Sequence, residues 1–407
     1  MAIIRTKRGC GCAVAVLVVL IGGVLFASYK FGWLWWGKKD SLPPPSGKEL
    51  RVHVLDVGQG DAILIVGPEK VALIDAGDEK SGQTVYDALK ANNVQRIDYF
   101  ILTHYHPDHI GGAAAVLANF KVGTVLENGF PPPEALPADE TAAQPTPTRG
   151  ADKKQGKSQP KQVVRQRKVP EFPTVKAYNS FKNGVDQAAA SEEKTEFKKA
   201  VPDQRIDLGG GAILTVLAPV EPLFTREQFA AMRKGNESNA NSIIVRLDYG
   251  EFSMLLPGDA EAQTEARLSS RFADNESALK ARILKVAHHG SKYASSDDFL
   301  KRVKPEVAII SMSKFNRYGH PNQDVLNRLK AAEVRDLYRT DLQGEITIRT
   351  TGKVKDGKLY VIETKETKAE ETKKELWVGR EATKDDSSPN FITYGDYDPP
   401  KRQQKKK

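Results

Sequence analysis

Two series of short apolar runs constrain the fold of this chain most strongly. The first contains "LRVHVLDVG", "AILIVG" and "VALIDAG", and the second contains "NSIIVRLDYG", "FSMLLPGD" and "VAIISMS". Short runs rich in β-branched residues that end at a glycine or polar residue predict strands, and amphipathic segments such as "GQTVYDALKANNV" predict helices between them. This succession predicts an α/β fold in which two sheets pack face to face with helices outside.

Composition divides the 407 residues into one folded region and several appended segments. We predict a membrane anchor over residues 1–40, a proline-rich linker over 41–48 and a folded domain over 49–361. Residues 131–170 and 362–407 contain many proline, glutamine or charged residues and few large apolar ones. Such segments cannot offset their ordering entropy, so both the insertion and the tail are predicted to be largely disordered.

The amino terminus has a basic start, an apolar run from about residue 12 to 28, and aromatic residues up to Trp36. The run approaches the ~20 residues that span a bilayer. Residues 12–36 therefore predict a single-pass membrane anchor with the folded domain outside the cytoplasm. A cleaved signal peptide is the alternative, although no clean cleavage site follows the run.

The net charge of +9 is unevenly distributed. Residues 1–40, 149–168 and 401–407 carry +5, +7 and +5, so the rest of the chain is net negative. These basic segments could attract a polyanion or an anionic membrane, or they could simply be solubilising sequence. Both cysteines, Cys10 and Cys12, precede the folded region, which excludes a disulfide framework or a thiolate metal site there.

The stretch "LTHYHPDH" contains three of the seven histidines. His104 and His106 are two positions apart, so they point the same way from an extended backbone. Pro107 interrupts the strand, and Asp108 and His109 then turn back toward the same place. Imidazole and carboxylate ligands suit zinc, manganese or iron rather than calcium, so the stretch predicts a metal site.

Polar residues end three further apolar runs. Asp259 ends "SMLLPGD", His288 and His289 end "ILKVA", and His320 lies in "SKFNRYGHPN". Asp259 is the natural candidate for a carboxylate that bridges two metals, an arrangement that can clamp both oxygens of a phosphoester displacement. His53 lies within a strand pattern and is interpreted as structural.

Taken together, "LDVGQGDAILI", "LIDAG", "LTHYHPDHIGG", "LLPGD" and "LKVAHHGSKYASS" resemble the motifs of metallo-β-lactamase-fold hydrolases. More specifically, they resemble the hydrolase domain of ComEC-type DNA-uptake proteins. The resemblance runs from about residue 50 to 350, excluding the insertion. It implies a four-layered αββα sandwich with the metal site at one edge of the sheets. ComEC-type channels have many spanning helices, so this chain is not expected to transport DNA itself.

The resemblance implies two divalent metal ions, zinc or alternatively manganese. It also implies six ligands, namely His104, His106, Asp108, His109, Asp259 and His289. The first two would bind one metal, the next two would bind the other, Asp259 would bridge, and His289 would complete the second metal's shell. His289 is preferred as the ligand with His288 facing the substrate, but the reverse order stays open.

Other residues take supporting roles by the same resemblance. Asp75 would support the site, and Gln59 and Asp61 would lie on a neighbouring loop. Many relatives have a further histidine between the first motif and the bridging aspartate, whereas this chain has none between His109 and His288 and instead reads "NESNANS". The first metal would keep two histidines and Asp259, with Asn239 or water nearby, and is expected to bind more weakly.

These observations favour a membrane-anchored, metal-dependent phosphodiesterase or nuclease, with DNA as one candidate substrate. Asp108, His288 and His320 are the predicted catalytic residues, and His320 would contact phosphate. One alternative is an esterase acting on an envelope phosphoester of the phosphorylcholine or teichoic-acid type. Another is a non-catalytic binding module on the same fold. Lactam hydrolysis is disfavoured by the paired histidines and by the missing middle histidine.

Overall fold

The computed structural model describes residues 46–132, 173–189, 194–232, 236–366 and 374–381. The predicted membrane anchor, nearly all of the predicted insertion and most of the predicted tail lie outside these residues. Within the described ranges, no helix has both the length and the apolar character that a membrane span requires.

The described residues form fifteen strands and ten α-helices. The strands are β1 (Leu50–Val54), β2 (Ile63–Val66), β3 (Val71–Ile74), β4 (Arg96–Ile101), β5 (Lys121–Glu127), β6 (Glu196–Lys199), β7 (Arg205–Asp207), β8 (Ala212–Ala218), β9 (Ile244–Tyr249), β10 (Phe252–Leu256), β11 (Ile283–Lys285), β12 (Val307–Ile310), β13 (Asp336–Arg339), β14 (Ile346–Lys355) and β15 (Lys358–Thr364). The helices are α1 (Gly82–Ala91), α2 (Pro107–Ile110), α3 (Ala113–Asn119), α4 (Pro173–Ala189), α5 (Arg226–Met232), α6 (Glu237–Ala240), α7 (Ala262–Arg271), α8 (Asp297–Val303), α9 (Gln323–Ala331) and α10 (Thr340–Gln343).

The strands form two mixed sheets. The first has the order β15-β14-β1-β2-β3-β4-β5-β6, and the second has the order β13-β12-β11-β10-β9-β8-β7. Strands β3 to β6 are parallel in the first sheet, and β10 to β13 are parallel in the second. Since parallel strands end at a common edge, the loops after β4, β10, β11 and β12 can contribute to one site.

The core between the sheets is built from the inward side chains of both. Val52 and Ile74 of the first sheet belong to the same buried cluster as Leu247 and Met254 of the second. Each of these side chains is at most 2 % exposed. Alternation along the strands directs every second side chain into this layer, which explains why the apolar runs predicted the sheets so well.

Helices cover the outer faces of both sheets. On the first sheet, Phe100 packs in a cluster with Val85 of α1, Val116 of α3 and Phe181 of α4. A separate cluster joins the outer face of the second sheet to three helices, with these members: Leu255, Ile310, Leu268 of α7, Phe299 of α8 and Leu326 of α9. The structure therefore confirms the prediction of two packed sheets with outer helices, whereas the predicted transmembrane helix lies outside the described residues.

Two short pieces of the predicted tail are among the described residues, namely 362–366, which include the end of β15, and 374–381. Residues 374–381 lie against the second sheet, where Arg339 donates from Nη1 to the carbonyl oxygens of Leu376 at 3.1 Å and Val378 at 2.7 Å. The backbone N–H of Arg380 donates to the carbonyl oxygen of Pro321 at 3.0 Å. This segment therefore contacts the loop that carries His320.

Candidate metal centre

The loop after β4 and the short helix α2 bring the histidine motif to the edge of the first sheet. His106 has an extended backbone, and Pro107 occupies the first helical position, where a missing N–H has no cost. Gly60 lies against this turn with φ +134°, and a Cβ there would come within 2.2 Å of the Asp108 carbonyl oxygen. Only glycine therefore allows the loop after β1 to approach the motif this closely.

The edges of the two sheets are joined beside the motif. The N–H of Ile243, just before β9, donates to the carbonyl oxygen of Thr103 at 2.9 Å. A Cβ on Gly258, after β10, would lie 3.0 Å from the Cβ of Thr103. This contact places the loop after β10, which carries Asp259, directly against the loop after β4.

Asp259 lies among three imidazoles that come from distant parts of the sequence. Its Oδ2 is 3.3 Å from His109 Nε2, 3.5 Å from His289 Nε2 and 4.0 Å from His104 Nε2. Asp108 Oδ2 is also 3.5 Å from His289 Nε2. Two overlapping groups result, one of His104, His109 and Asp259 and one of Asp108, His109 and His289, with the potential ligand atoms of each within 4.8 Å.

His106 is placed differently from the other residues of the motif. Its Nδ1 lies 2.9 Å from His104 Nε2, the same nitrogen that faces Asp259. It belongs to neither of the two groups described above. The structure thus brings His106 beside the centre but directs its Nδ1 toward a second imidazole rather than a carboxylate.

His109 and His289 are each held from the Nδ1 side, which leaves Nε2 facing the centre. His109 Nδ1 is 2.7 Å from Asp75 Oδ2, and His289 Nδ1 donates to the carbonyl oxygen of Ser311 at 2.9 Å. Asp75 also accepts hydrogen bonds from the N–H and hydroxyl of Thr103 at 2.8 and 2.7 Å. Outer hydrogen bonds of this kind orient metal-binding imidazoles.

Three site residues have left-handed backbone conformations that are unusual outside glycine. The φ angles are +57° at Asp75, +49° at His288 and +53° at His289. Each such residue costs of order 1–3 kcal/mol and persists only where the surroundings impose it. The strain coincides with residues whose side chains face or support the centre, which is where functional strain accumulates.

His288 and His289 are neighbours with different environments. The His289 side chain is 1 % exposed, whereas that of His288 is 20 % exposed. His288 Nε2 is 3.8 Å from Asp259 Oδ2, its Nδ1 is 3.5 Å from Glu261 Oε1, and its ring is 5.4 Å from that of His320. The structure therefore places His289 inside the cluster and both His288 and His320 beside it.

Burial and neighbouring imidazoles lower the proton affinity of one histidine pair. Burial holds the pKa of His104 well below its usual range, and the nearby His109 and His106 lower it further. Burial also lowers the pKa of His106 to about 4. Both rings are therefore neutral at pH 7, the form in which imidazole binds a metal.

Carboxylates have the opposite effect on the other pair. Burial alone would lower the pKa of His109 and His289, but Asp259 and Asp75 raise that of His109 well above its usual range. Asp259 and Asp108 raise the pKa of His289 to about 9. Burial likewise opposes the charge on Asp108, but His109 and His289 outweigh it and lower the pKa of Asp108 to about 2.

The donor set fits a divalent metal. Four buried atoms of the centre have no hydrogen-bond partner: His106 Nε2, His109 Nε2, His289 Nε2 and Asp259 Oδ1. Buried polar atoms without partners cost free energy, and most in native proteins are satisfied. Coordination would satisfy these atoms, and a mixed imidazole and carboxylate set suits zinc, manganese or iron.

Several residues of the site escaped sequence reasoning. Glu261 is 1 % exposed and follows Asp259 by two positions, yet it was absent from the predicted set. The ring of Tyr105 packs 5.0 Å from Tyr178 of α4, a helix that was not predicted.

Lys285 is fully buried beside Asp61. A charged residue inside the apolar run "ILKVA", three positions before His288, was the one available signal for Lys285. His53 lies in β1, and its Nδ1 forms a hydrogen bond with Glu345 Oε1 at 2.8 Å.

Comparison with known proteins agrees with this architecture. The family model described as the metallo-beta-lactamase superfamily matches residues 55–223. The chain is 28 % identical over 336 residues to ComE operon protein 3 of Bacillus subtilis (strain 168), covering 78 % of this chain and 35 % of that protein. It is 26 % identical over 340 residues to Competence protein ComA of Neisseria gonorrhoeae, covering 83 % of this chain and 36 % of that protein.

The chain thus spans about a third of the length of these two curated relatives. Among solved structures, it is similar to the metallo-beta-lactamase fold protein YhfI from Bacillus subtilis, with 12 % identity and a TM-score of 0.38 over 71 % of this chain and 96 % of that one. The family match, the two competence relatives and the shared motifs agree with one another. Residues 55–223 therefore match the metallo-beta-lactamase superfamily, and the chain is similar over most of its length to ComE operon protein 3 and Competence protein ComA.

Proposed function

We propose that the domain is a metal-dependent phosphodiesterase with a binuclear centre. The observation that carries the proposal is the convergence of Asp259 on His104, His109 and His289 within 3.3–4.0 Å. A carboxylate in this position can contribute an oxygen to each of two sites. Two divalent ions, when bound, would polarise a phosphoryl group and lower the pKa of water.

The proposed ligand set keeps the assignment made from the sequence. His104 and His106 would hold the first ion, Asp108, His109 and His289 would hold the second, and Asp259 would bridge. Zinc suits the imidazole-rich set, and manganese is the alternative. Asp75 and the carbonyl of Ser311 support only the second position through Nδ1 hydrogen bonds. We therefore expect the second ion to be bound more tightly than the first.

The side chains that would donate or accept protons lie on the more exposed side of this cluster. The rings of His288 and His320 are 5.4 Å apart, and Glu261 lies 3.5 Å from His288 Nδ1. His288 would protonate the leaving oxygen as a general acid, and His320 would contact the phosphate. Asp108, 20 % exposed at its side chain, would orient the attacking water.

Two loops beside the centre favour a nucleic acid as the phosphodiester. "GSKYASS" and "SKFNRYGHPN" alternate cations with aromatic rings. Lys292 Nζ lies 5.1 Å from the Tyr293 ring centroid, and Lys314 Nζ lies 5.8 Å from that of Phe315, which is 64 % exposed. Cations and exposed rings together suit single-stranded nucleic acids, whose bases stack on aromatic side chains. The word "competence" in a relative's name points the same way.

We also propose a location for the enzyme in the cell. Residues 12–36 would anchor the enzyme in the membrane as a single span, with the catalytic domain outside the cytoplasm. This placement would present the domain to extracytoplasmic phosphodiesters, including DNA or an envelope phosphoester. Protease protection of the carboxy-terminal part in intact cells and in permeabilised cells would test it, because an external domain is digested in both.

The catalytic proposal is tested with the purified full chain in detergent. We expect bound zinc or manganese by elemental analysis, and hydrolysis of bis-p-nitrophenyl phosphate and of single-stranded DNA. Asp259→Asn should lower hydrolysis of both substrates about 1,000-fold. Asp248→Asn is the matched control, because Asp248 is also a buried aspartate but pairs with Arg246 at 2.9 Å in β9. Its hydrolysis should resemble that of the wild type.

Other outcomes distinguish the alternatives. Hydrolysis of p-nitrophenyl phosphorylcholine without any action on DNA would favour the envelope phosphoester esterase. Stoichiometric metal with no turnover of any of these substrates above the Asp259→Asn level would refute the phosphodiesterase. The same result would favour a non-catalytic binding module.

A further inference from the structure

A buried lysine lies directly behind the proposed second metal position. Lys285 is the last residue of β11, and its side chain is fully buried. Ile283, two positions earlier, belongs to the core between the sheets. The two-residue period of a strand directs Lys285 to the same inner side, toward the first sheet. Its Nζ donates to Asp61 Oδ2 in the loop after β1.

Asp61 connects the parts of the site that come from the first sheet. Its N–H donates to the carbonyl oxygen of Asp108 at 3.2 Å, and its own carbonyl accepts from the N–H of Gly77 at 2.8 Å. Its second carboxylate oxygen, Oδ1, has no hydrogen-bond partner and lies 3.6 Å from His289 Nδ1. Asp61 therefore touches the motif loop, the Asp75 turn and His289 at once.

The position of Asp61 admits two roles. Its carboxylate lies within 4.8 Å of ligand atoms of Asp259 and His289, so geometry alone would allow it to be a metal ligand. Lys285, however, already binds one of its oxygens and balances its charge. The other oxygen faces the Nδ1 side of His289, away from the Nε2 atom that faces Asp108.

We propose that the Lys285–Asp61 ion pair positions His289 for metal binding, with Lys285 acting as an internal counter-ion that keeps Asp61 out of the ligand set. Asp61 and the carbonyl of Ser311 together fix the Nδ1 side of the ring, and Nε2 is thereby directed to Asp108 and Asp259. The proposal rests on the metal-binding part of the proposed function but not on phosphodiester hydrolysis.

Substitutions of Lys285 and of Asp61 should change the response of the protein to metal in opposite directions. Lys285→Met leaves an unpaired buried carboxylate, so the metal-free protein should unfold about 10 °C lower. Because a divalent ion can balance that carboxylate, the stabilisation by metal should be larger than in the wild type. Asp61→Asn leaves an unpaired buried ammonium beside the centre and weakens the support of His289. Its metal affinity should fall about 10- to 100-fold.

The double variant Lys285→Met/Asp61→Asn separates charge from position. It has no unpaired charge, so its metal-free unfolding temperature should recover most of the loss seen in Lys285→Met. It still lacks the carboxylate beside His289, so its metal affinity should stay below that of the wild type. Asp248→Asn, whose buried carboxylate pairs with Arg246, controls for loss of any buried aspartate.

The experiment is thermal unfolding of the full chain in detergent, after chelation and with added zinc or manganese, together with chelator-competition affinities. Supporting results are a larger metal-induced shift for Lys285→Met, a smaller one for Asp61→Asn, and a wild-type shift for Asp248→Asn. Equal shifts in all variants would overturn the positioning role. Should Lys285→Met not fold without metal, the Asp61→Asn and double-variant affinities decide the question. If the wild type itself shows no metal-induced shift, it is the metal centre of the proposed function that fails.

Discussion

Two pairs of histidines in the centre, His104 with His106 and His109 with His289, differ in what supports them. In the first pair, hydroxyl groups face His104: Thr103 Oγ1 is 3.1 Å and Ser242 Oγ is 3.4 Å from its Nδ1. The second pair is held through Nδ1 by a carboxylate and a carbonyl oxygen. The pKa values are lowered in the first pair and raised in the second.

Residue type alone therefore does not set the proton affinity of the histidines in this motif. His104, His106 and His109 lie within six residues, yet they acquire opposite proton affinities from their surroundings. Carboxylates act on both pairs, but they outweigh the effect of burial on the pKa only in the second pair. Since a divalent cation is attracted by the same carboxylates that attract a proton, the second pair should form the stronger position.

The largest effect is expected where the two pairs meet. Asp259→Asn removes a carboxylate oxygen that lies within 4.0 Å of His104, His109 and His289. We expect the metal content to fall below one ion per chain and turnover of bis-p-nitrophenyl phosphate to fall about 1,000-fold, the scale of several kcal/mol of charge stabilisation. Elemental analysis that finds unchanged metal in this variant would show that Asp259 does not bridge the pairs.

A matched pair of substitutions tests the difference in support. Asp75→Asn removes the carboxylate behind His109, and Ser242→Ala removes a hydroxyl behind His104. We expect metal affinity to fall about 10- to 100-fold for Asp75→Asn and by less than about tenfold for Ser242→Ala. Chelator-competition titrations measure both. Equal losses would mean that the support of the two pairs is equivalent.

The pH dependence of metal binding should separate the pairs as well. His289, with a pKa of about 9 in the metal-free protein, is protonated at pH 7, so metal must displace a proton from it. This proton alone should make the metal affinity of the second position rise about tenfold per pH unit up to about pH 9, and His109, whose pKa is also raised, adds a second displaced proton. His106, with a pKa of about 4, is already neutral and releases none at pH 7. Calorimetric titrations in buffers of different ionisation enthalpy count these protons, and His289→Ala should release fewer.

The same shifts predict the pH dependence of stability in chelator. A raised pKa, as at His289, contributes stability that is complete below the unfolded value of about 6.5 and is lost as the pH rises through about 9. A lowered pKa, as at His106, reduces stability as the pH falls from about 6.5 to about 4, because the unfolded chain then binds the proton better. Unfolding temperatures should therefore peak near pH 6.5. His106→Ala should flatten only the acid side of that profile.

The smallest effect is expected at the segment 374–381, far along the chain from either pair. Arg380 donates from Nη2 to Asp341 Oδ2 at 2.8 Å, and its N–H donates to the carbonyl of Pro321, next to His320. Arg380→Ala should loosen this loop and lower turnover about threefold, which corresponds to the ~0.5–1.5 kcal/mol of a typical hydrogen bond. Metal affinity should not change.

The exposed Arg335, which pairs with Asp336 at 2.7 Å, provides the control for that substitution. Arg335→Ala removes a surface ion pair of little energetic value, so it should leave turnover unchanged. A loss of metal in Arg380→Ala would instead show that the segment supports the centre itself rather than the His320 loop alone.

Local patterns were sufficient to predict the sheets, because strands of a two-sheet core bury alternate side chains and end at polar residues. They also located the loop after β4, since His104 and His109 are only five positions apart. They did not locate α4, whose Tyr178 and Phe181 pack against Tyr105. That helix follows a long polar insertion. Its apolar side chains are explained only by their contact with the motif loop, which the sequence does not show.

The strand ends that carry imidazoles and carboxylates could be read from the chain alone, since those positions follow from apolar runs and their terminating residues. The charge of each group and its hydrogen-bonded supports depend instead on how the two sheets pack. Glu261 and Lys285 contact residues from other loops, so the sequence around each of them does not show what it pairs with. The physical reason is that a pKa or an ion pair depends on distances of a few ångströms between loops, and those distances exist only after the two sheets have packed.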